Sequence, residues 1–402
     1  MTTDPQNTWR TDTTAVRAGR SGDGNSLAPV LYGTSTFTSD TVDEARRMAT
    51  AVGCERFYSR YGNPTVRGFE EAVAALEGAE AARAFASGMG AISAVVFGLC
   101  STGDHIVAQR QLYSATQVLL QAACPRFGID VTFVDGTEPG AFAAAVIPGR
   151  TALVLAETPA NPKLDLIDLD ELGAIAGPIT VVDATFATPV LQQPLRHGVD
   201  LVVHSATKGI AGHNDATLGV VAGSEELINW LWGYAVLQGA VASPFDALNG
   251  TRGIRTLPVR VRAQSAAALE LARHLEGRPG TSDVRYPFLP SHPQHDLAVR
   301  QMAAGGSLVT FDVDGGLDGG RRFVEHVRLA QLATSLGGPE TLVTHPASTT
   351  HVGLLPDELA VNGIGPGTIR VSVGLEDVAD LIADLDQALD AATAGTGAEA
   401  GA

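Results

Sequence analysis

Two short apolar, β-branched runs, residues 179–182 (ITVV) and 199–203 (VDLVV), each stop abruptly on polar residues. The first ends on Asp183 and the second on His204-Ser205-Ala206-Thr207-Lys208. Read as buried strands of a parallel sheet, they present a carboxylate and an amine at the same sheet edge, where open α/β sheets hold their ligands. A lysine there is costly without a partner or a task, because desolvation disfavours its charged form. A carboxylate, a lysine and small hydroxyls together suit pyridoxal phosphate, which takes a lysine for its Schiff base, an acid for its ring nitrogen and hydroxyl or amide donors for its phosphate. A helix-capping Asp and a solvated Lys fit the same residues, so this stretch alone leaves both readings open.

Other stretches bear on the choice. Residues 82–91 (ARAFASGMGA) read as a small-residue strand turning through glycines into an apolar helix over 92–99. Such a turn gathers backbone N–H groups at the positive end of a helix dipole, which suits a phosphate. It also approximates the dinucleotide fingerprint, but Gly88-x-Gly90-x-x-Ser93 lacks the third glycine and Asp104 comes too early for the ribose-binding acid. A nicotinamide-dependent dehydrogenase therefore remains as a less well fitting alternative. Tyr58 and Arg60, inside residues 56–65 (RFYSRYGNPT), are candidate phosphate contacts; incidental arginines on a surface turn are the plainer account. Tyr113 follows the apolar run 105–108 and could stack on a flat ring or fill a core gap. In residues 157–162 (ETPANP) two prolines fix the backbone so that Asn161 is aimed, at a phenolic oxygen or simply within a turn. Ser335 precedes the flexible turn Leu336-Gly337-Gly338. Arg370 lies within a strand over 369–373, where an arginine is out of place unless it meets an anion. A clamp on an amino-acid α-carboxylate would explain it, as would an internal salt bridge among forty-four acidic residues. His292 and His295 (SHPQH) have a spacing that hints at metal, but Pro293 breaks the helix that would align them, so solvated loop histidines and no metal site are expected.

The elements that must position these groups follow from periodicity. Between residues 103 and 220 strands (105–108, 130–134, 151–156, 179–182, 199–203) alternate with helices beginning at Ser114, Pro139 and Asp168, which implies a mostly parallel sheet covered on both faces. Residues 1–60 carry too little apolar surface to fold alone and form an arm that should lie against something else, such as a neighbouring subunit; it includes a loop at residues 22–26 and a short helix over 41–52. A helix starts near Val66, with Phe69, Val73 and Leu76 at helical spacing. After a helical passage at 225–237, a long helix over 259–275 opens an α+β region with strands at 283–286, 307–312, 342–344 and 368–373 and helices at 321–329 and 378–391. The expected domains are therefore the arm 1–60, a cofactor-binding domain 61–255, a smaller substrate domain 256–392 and a disordered tail 393–402.

Composition sets the outer limits. With 402 residues, 45% hydrophobic and 18% charged, the chain describes a well-packed globular protein of more than one domain. A net charge of −17 argues against nucleic acid, whose phosphates call for a basic face. The three cysteines, Cys54, Cys100 and Cys124, lack any CxxC, which disfavours a disulfide framework and fits a cytoplasmic location. Residues 1–12 make no signal peptide, and no run approaches a membrane span.

Taken together, residues 58–65 (YSRYGNPT), 87–91 (SGMGA), 157–162 (ETPANP), Asp183-x-Thr185-Phe186-Ala187-Thr188-Pro189, Ser205-Ala206-Thr207-Lys208, 335–338 (SLGG), 345–351 (HPASTTH) and 369–377 (IRVSVGLED) closely resemble the transsulfuration family of pyridoxal-phosphate enzymes. That family holds the cystathionine γ-synthases and γ-lyases, methionine γ-lyases and O-acylhomoserine sulfhydrylases. The resemblance runs in order from about residue 13 to 390. It implies an α/β PLP-dependent transferase fold of the aspartate-aminotransferase type (type I), with a large mostly parallel-sheet domain and a smaller α+β C-terminal domain. It implies Lys208 as the Schiff-base lysine and proton shuttle, Asp183 as the ring-nitrogen partner and Tyr113 as the stacking residue that assists proton transfer. Ser87, Gly88, Met89, Thr185, Ser205 and Thr207 would bind the cofactor, with Tyr58 and Arg60 reaching its phosphate from a neighbouring subunit. Asn161, Ser335, Arg370 and Tyr58 match positions that orient cofactor and substrate. The resemblance further implies γ-replacement or γ-elimination on a homoserine-derived or sulfur-containing amino acid, and a homotetramer of two active dimers. Subfamily marks are mixed. Thr334 replaces the glutamate of cystathionine γ-lyases and Ala115 the cysteine of methionine γ-lyases, whose charged pair is also absent from residues 234–238 (YAVLQ). Residues 348–351 (STTH) and 284–302 look like O-acylhomoserine sulfhydrylases. Glu340 stands where those enzymes carry lysine, SLGG is lyase-like, and Ala184 replaces the usual Asn after Asp183.

Overall fold

A computed structural model describes residues 9–20, 24–352, 359 and 362–394. The chain divides into two compact units. The first holds the described residues up to Gln109 together with Ala115–Ala156 and Asp168–Pro258; the second holds Arg110–Ser114, Glu157–Ile167 and the described residues from Val259 onward. The two short segments Arg110–Ser114 and Glu157–Ile167 thus leave the span 61–255 in which the sequence placed them.

The first unit is built on a seven-stranded sheet of β1 (Ala81–Phe85), β2 (His105–Gln109), β3 (Asp130–Val134), β4 (Thr151–Glu157), β5 (Ile179–Asp183), β6 (Leu201–His204) and β7 (Gly219–Gly223), in the order β1-β7-β6-β5-β4-β2-β3. β2 is parallel to both β3 and β4, and β5 to β6. Its central strands are apolar and fully buried, as in Ile106, Val107, Val154, Val181, Val182, Leu201 and Val202, because helices cover both faces. β7 was not legible as a strand. It runs antiparallel to β1 and β6, and its bounding glycines read as turn punctuation. Those glycines answer to packing: a Cβ at Gly219 would strike the Ser87 carbonyl, and one at Gly223 would strike Leu201 and the Asp200 carbonyl.

The helix Pro64–Glu77 begins on an Asn63 cap whose side chain accepts from Thr65 N–H, and it buries Phe69, Val73 and Leu76. The helix expected over 41–52 is Val42–Thr50, capped by Thr41 and with no buried residue. The arm is nonetheless tied to its own chain: Tyr32 N–H donates to Thr65 Oγ1 at 2.8 Å, and Asn63 Nδ2 to the Tyr32 carbonyl at 2.9 Å. Two further helices, Thr11–Arg17 and Pro244–Ile254, were not read from the sequence. Within the expected loop at 22–26, Gly22 and Asp23 lie outside the described residues.

The second unit carries a five-stranded sheet of β8 (Thr281–Arg285), β9 (Leu308–Val313), β10 (Gln331–Leu332), β11 (Leu342–Thr344) and β12 (Thr368–Ser372), ordered β10-β11-β12-β9-β8. Its core joins Val309, Phe311, Ile369 and Val371 of the sheet to Leu271 and Leu275, Phe323, and Leu381, Leu385 and Leu389 from three helices. Helical spacing of the apolar residues in Val378–Ala394 accounts for that last contact. The helix expected at 321–329 is Gly316–His326. Its first turn was hidden by Gly319 and Gly320, poor helix formers retained because a Cβ would meet the Asp314 carbonyl and the His345 ring. The last helix extends to Ala394, so Thr393 and Ala394 do not belong to a disordered tail, and residues 395–402 lie outside the described residues.

Candidate active site

In the first unit the functional groups gather where β5 and β6 end. The two strands pair in parallel with Asp183 opposite Val203, so Asp183 and the turn after His204 share one edge. Thr185 links them. Its hydroxyl donates to Asp183 Oδ1 at 2.5 Å and accepts from Ser205 N–H at 2.8 Å, while its own N–H reaches the same carboxylate oxygen at 3.0 Å. Burial pushes the Asp183 carboxyl above its usual range, against the opposing pull of the Thr185 hydrogen bonds and the His204 charge. A carboxylate so placed gains from a cationic partner. Lys208 lies in the turn that follows β6, half-buried, its N–H bonded to the Ser205 carbonyl at 3.0 Å and its carbonyl to Gly212 N–H at 2.8 Å. Thr207 closes the same turn onto β7: its hydroxyl donates to the Leu218 carbonyl at 3.1 Å and accepts from Leu218 N–H at 2.8 Å.

A few ångströms decide the neighbouring cradle. Ser87 caps the helix Gly88–Leu99, its Oγ accepting from Gly90 N–H at 3.0 Å, so the N–H groups of Gly88 and Met89 open the helix with its positive dipole end. A Cβ at Gly88 would sit 2.7 Å from Ser205 Cβ. Only glycine lets this helix start approach Ser205, which brings β1's end and β6's end to one place. Tyr58, 40% exposed, and Arg60 lie apart in the arm-proximal loop; the Arg60 guanidinium stacks over the Tyr58 and Tyr61 rings and donates to the Val236 carbonyl at 2.7 Å.

The second unit gathers Tyr113, Asn161, Ser335 and Arg370. Arg370, on β12 and 4% exposed, donates from Nη1 to Asn161 Oδ1 at 2.9 Å and from Nη2 to the Ser335 carbonyl at 3.1 Å. Its Nε is buried without a partner, and among the described residues no carboxylate lies within ion-pair distance. The internal salt bridge weighed from the sequence is therefore absent. Burial pushes the guanidinium down to about 10, opposed by nearby Tyr113 and Glu157, which still leaves it charged at neutral pH. Ser335 adopts a left-handed backbone (φ 85°), unusual outside glycine, and Gly337 N–H anchors the following turn to Ser372 Oγ at 3.0 Å. The Asn161 loop is fastened by Lys163, buried, whose Nζ meets Asp283 at 2.9 Å and Asp312 at 3.1 Å. Tyr113 is 43% exposed, and its N–H donates to Glu157 Oε2 at 2.7 Å.

The profile of the Cys/Met metabolism PLP-dependent enzymes matches residues 12–390. The chain belongs to this family. It is 46% identical to an O-succinylhomoserine sulfhydrylase of Pseudomonas aeruginosa over 94% of this chain and 95% of that protein. It is 43% identical to an L-methionine gamma-lyase of Porphyromonas gingivalis over 90% and 92%. The crystal structure of metB from Corynebacterium glutamicum superposes with a TM-score of 0.90 at 36% identity, covering 96% of this chain and 99% of that one.

A Cys/Met metabolism PLP-dependent enzyme uses pyridoxal phosphate, and the first unit fits it: a helix start kept open by Gly88, a buried carboxyl at Asp183 steadied by Thr185, and an amine on the same sheet edge at Lys208. Three features of this member escaped the sequence reading. Glu157 opens a motif that was quoted but was given no task itself, and Lys163, one residue past that motif, was not singled out. Glu77 and His204 form a fully buried contact of 2.6 Å at the end of β6; their partnership spans 127 positions and left no local signal. His292 was expected in solvent but is 3% exposed, and burial pushes its imidazole down to about 4. Its Nδ1 accepts from Gln294 N–H at 3.1 Å. Among the described residues no group of three His, Cys, Asp or Glu side chains could hold a metal ion.

Proposed function

We propose that this chain catalyses γ-replacement on an O-acylated homoserine, with sulfide or a small thiol bonding to Cγ as the acyl group leaves as a carboxylate. The reading that ranks second is γ-elimination from cystathionine or methionine. The observation that carries an amino-acid substrate is Arg370: a buried guanidinium with an orphaned Nε and no ion-pair carboxylate among the described residues calls for an anion of bidentate geometry, which an α-carboxylate supplies. The choice of replacement draws on the similarity to O-succinylhomoserine sulfhydrylase and on Ser348-Thr349-Thr350-His351; the methionine gamma-lyase relatives and the Ser335–Gly338 turn keep elimination as the alternative.

Pyridoxal phosphate, when bound, supplies an electron sink for negative charge at the substrate's Cα. Around it the chain's residues take these roles. Lys208 holds the cofactor and, when its Nζ is neutral and free, carries protons between Cα and Cβ. Asp183, steadied by Thr185, keeps the ring nitrogen protonated. The Gly88 and Met89 N–H groups, with Ser87, Ser205 and, once its hydroxyl turns from the Leu218 carbonyl, Thr207, would receive the phosphate, joined by Tyr58 and Arg60 from a neighbouring subunit. Tyr113 would stack on the ring and assist proton transfer, and Asn161, Ser335 and Arg370 would orient the amino acid. The Asn161 Oδ1 accepts from Arg370, so its Nδ2 would be the donor it offers to a ligand.

We further assign a homo-oligomer of two active dimers working in the cytoplasm, with the first unit as the cofactor domain and the second, which takes in Arg110–Ser114 and Glu157–Ile167, as the substrate domain. Exposed Trp230, Leu237 and Phe245 on the first unit support self-association, and free cysteines, two of them buried, suit a reducing compartment. No helix among the described residues is long and apolar enough to cross a membrane. The test is incubation of the cofactor-loaded protein with O-acetylhomoserine, O-succinylhomoserine, cystathionine and methionine, each with and without sulfide, and identification of products by mass. Homocysteine formed only from an acylhomoserine plus sulfide supports replacement. A 2-oxo acid and ammonia formed without sulfide shifts the assignment to elimination.

A further inference from the structure

We propose that Glu157 is the positioning residue of the second unit, a buried carboxylate that registers Tyr113 and Asn161 against each other and, through Asn161, sets the Arg370 guanidinium. The proposal rests on the reading of Arg370 as the carboxylate clamp and assigns what holds that clamp in place.

Glu157 is the last residue of β4 and is 4% exposed. Its two oxygens serve two different pieces of chain. Oε2 accepts from the Tyr113 N–H at 2.7 Å, and Oε1 accepts from the Asn161 N–H at 2.9 Å. Hydrogen bonds to an ionised carboxylate are about twice as strong as neutral ones, and a buried carboxylate is tolerated only when so satisfied. One side chain therefore fixes the backbone of the stacking candidate to that of the residue whose Oδ1 meets Arg370 Nη1 at 2.9 Å. Glu157 is also close enough to Arg370 to support its charge while standing outside ion-pair distance. Its charge offsets that of the guanidinium without occupying it, so the Nε remains for a ligand. A purely packing residue at this strand end needs neither oxygen.

Glu157→Gln separates the roles. The amide oxygen accepts one N–H, but the amide nitrogen must face the other N–H as a second donor. Glu157→Asp keeps the charge and shortens the reach by one methylene. Amide hydrogen exchange is measured residue by residue in wild type and in both variants, with cofactor content and substrate KM read in parallel. We expect Glu157→Gln to speed exchange at Tyr113, Asn161 or both by about tenfold or more, to leave the β9 and β12 amides unchanged, to retain cofactor, and to raise KM by about tenfold with a smaller change in kcat. Unchanged exchange at both amides overturns the proposal, and so does a uniform rise across the second unit, which marks general loosening. Should Glu157→Gln fail to fold, wild-type exchange decides: protected amides at Tyr113 and Asn161 that Glu157→Asp weakens support it, and fast wild-type exchange at both overturns it. A wild-type protein inactive on every γ-substituted amino acid would sink the proposed function, yet the exchange measurement would still answer for Glu157.

Discussion

In the first unit the groups at the sheet edge are largely backbone: the Gly88 and Met89 N–H groups, the glycine contacts that let β7 and the helix Gly88–Leu99 close on Ser87 and Ser205, and hydroxyls already bonded to the chain. In the second unit they are long buried side chains: Arg370 meets Asn161 across 209 positions, Glu157 holds the backbone of Tyr113 and Asn161, and Lys163 is tied to Asp283 and Asp312 more than a hundred positions away. A backbone cradle is specified by turns and glycines and survives the loss of any one side chain. A side-chain lattice depends on each member, because truncating one leaves its partner buried and unsatisfied.

The largest expected effect tests an exception in the first unit, the side chain there that would move protons itself. Lys208→Ala should lower kcat by about 10⁴-fold or more, measured on whichever substrate the product assay identifies, with the far-UV circular dichroism unchanged; residual activity within tenfold would remove Lys208 from the reaction. Arg370→Ala comes next. Stripping a buried charged partner costs about 2–5 kcal/mol, so KM should rise by about 10²-fold or more while cofactor content stays at the wild-type level. Loss of cofactor instead would mean that the two units do not divide the work as described.

The comparison also has a pH signature. Burial holds the imidazoles of His292 and His351, both in the second unit, down to about 4. In the unfolded chain they titrate near 6.5. Between those values the unfolded state binds more protons, so stability falls as pH drops from about 6.5 to about 4, by on the order of 3 kcal/mol for each histidine, with no further contribution below and none above. Thermal melts at pH 7.5 and 5 should show the loss, and His292→Asn should lessen it. A melting temperature flat over that window in the wild type would contradict the burial of both groups.

How much of this was legible in the sequence follows the same division. The strand ends carrying Asp183 and Lys208, the glycine turn at Gly88 and the family resemblance were all local patterns, and β3 and β11 emerged with their bounds unchanged. β7 was lost because its glycines serve packing against Ser87 rather than a turn. The first turn of the helix Gly316–His326 was lost for a related reason, its glycines making room for His345. Arg370 could be flagged as an oddity within a strand, but not that its guanidinium meets Asn161 and Ser335, 209 and 35 positions away. Periodicity is silent on such pairs. His292 misled in the same way: SHPQH reads as a polar loop, and only tertiary packing buries it.

The smallest expected effect is the most discriminating for the cradle. Ser87 Oγ accepts the Gly90 N–H, so its hydroxyl proton remains for a phosphate oxygen. Ser87→Ala removes both, and loss of an N-cap alone costs about 1 kcal/mol. If the phosphate is held chiefly by backbone N–H groups, Ser87→Ala should lower the melting temperature by that amount in the cofactor-free protein and weaken cofactor binding by no more than about threefold. Ser87→Asn, which restores the cap acceptor, should recover the melting temperature. A much larger loss of cofactor affinity in Ser87→Ala, unrelieved by Asn, would show that the first unit leans on a side chain as heavily as the second leans on Arg370.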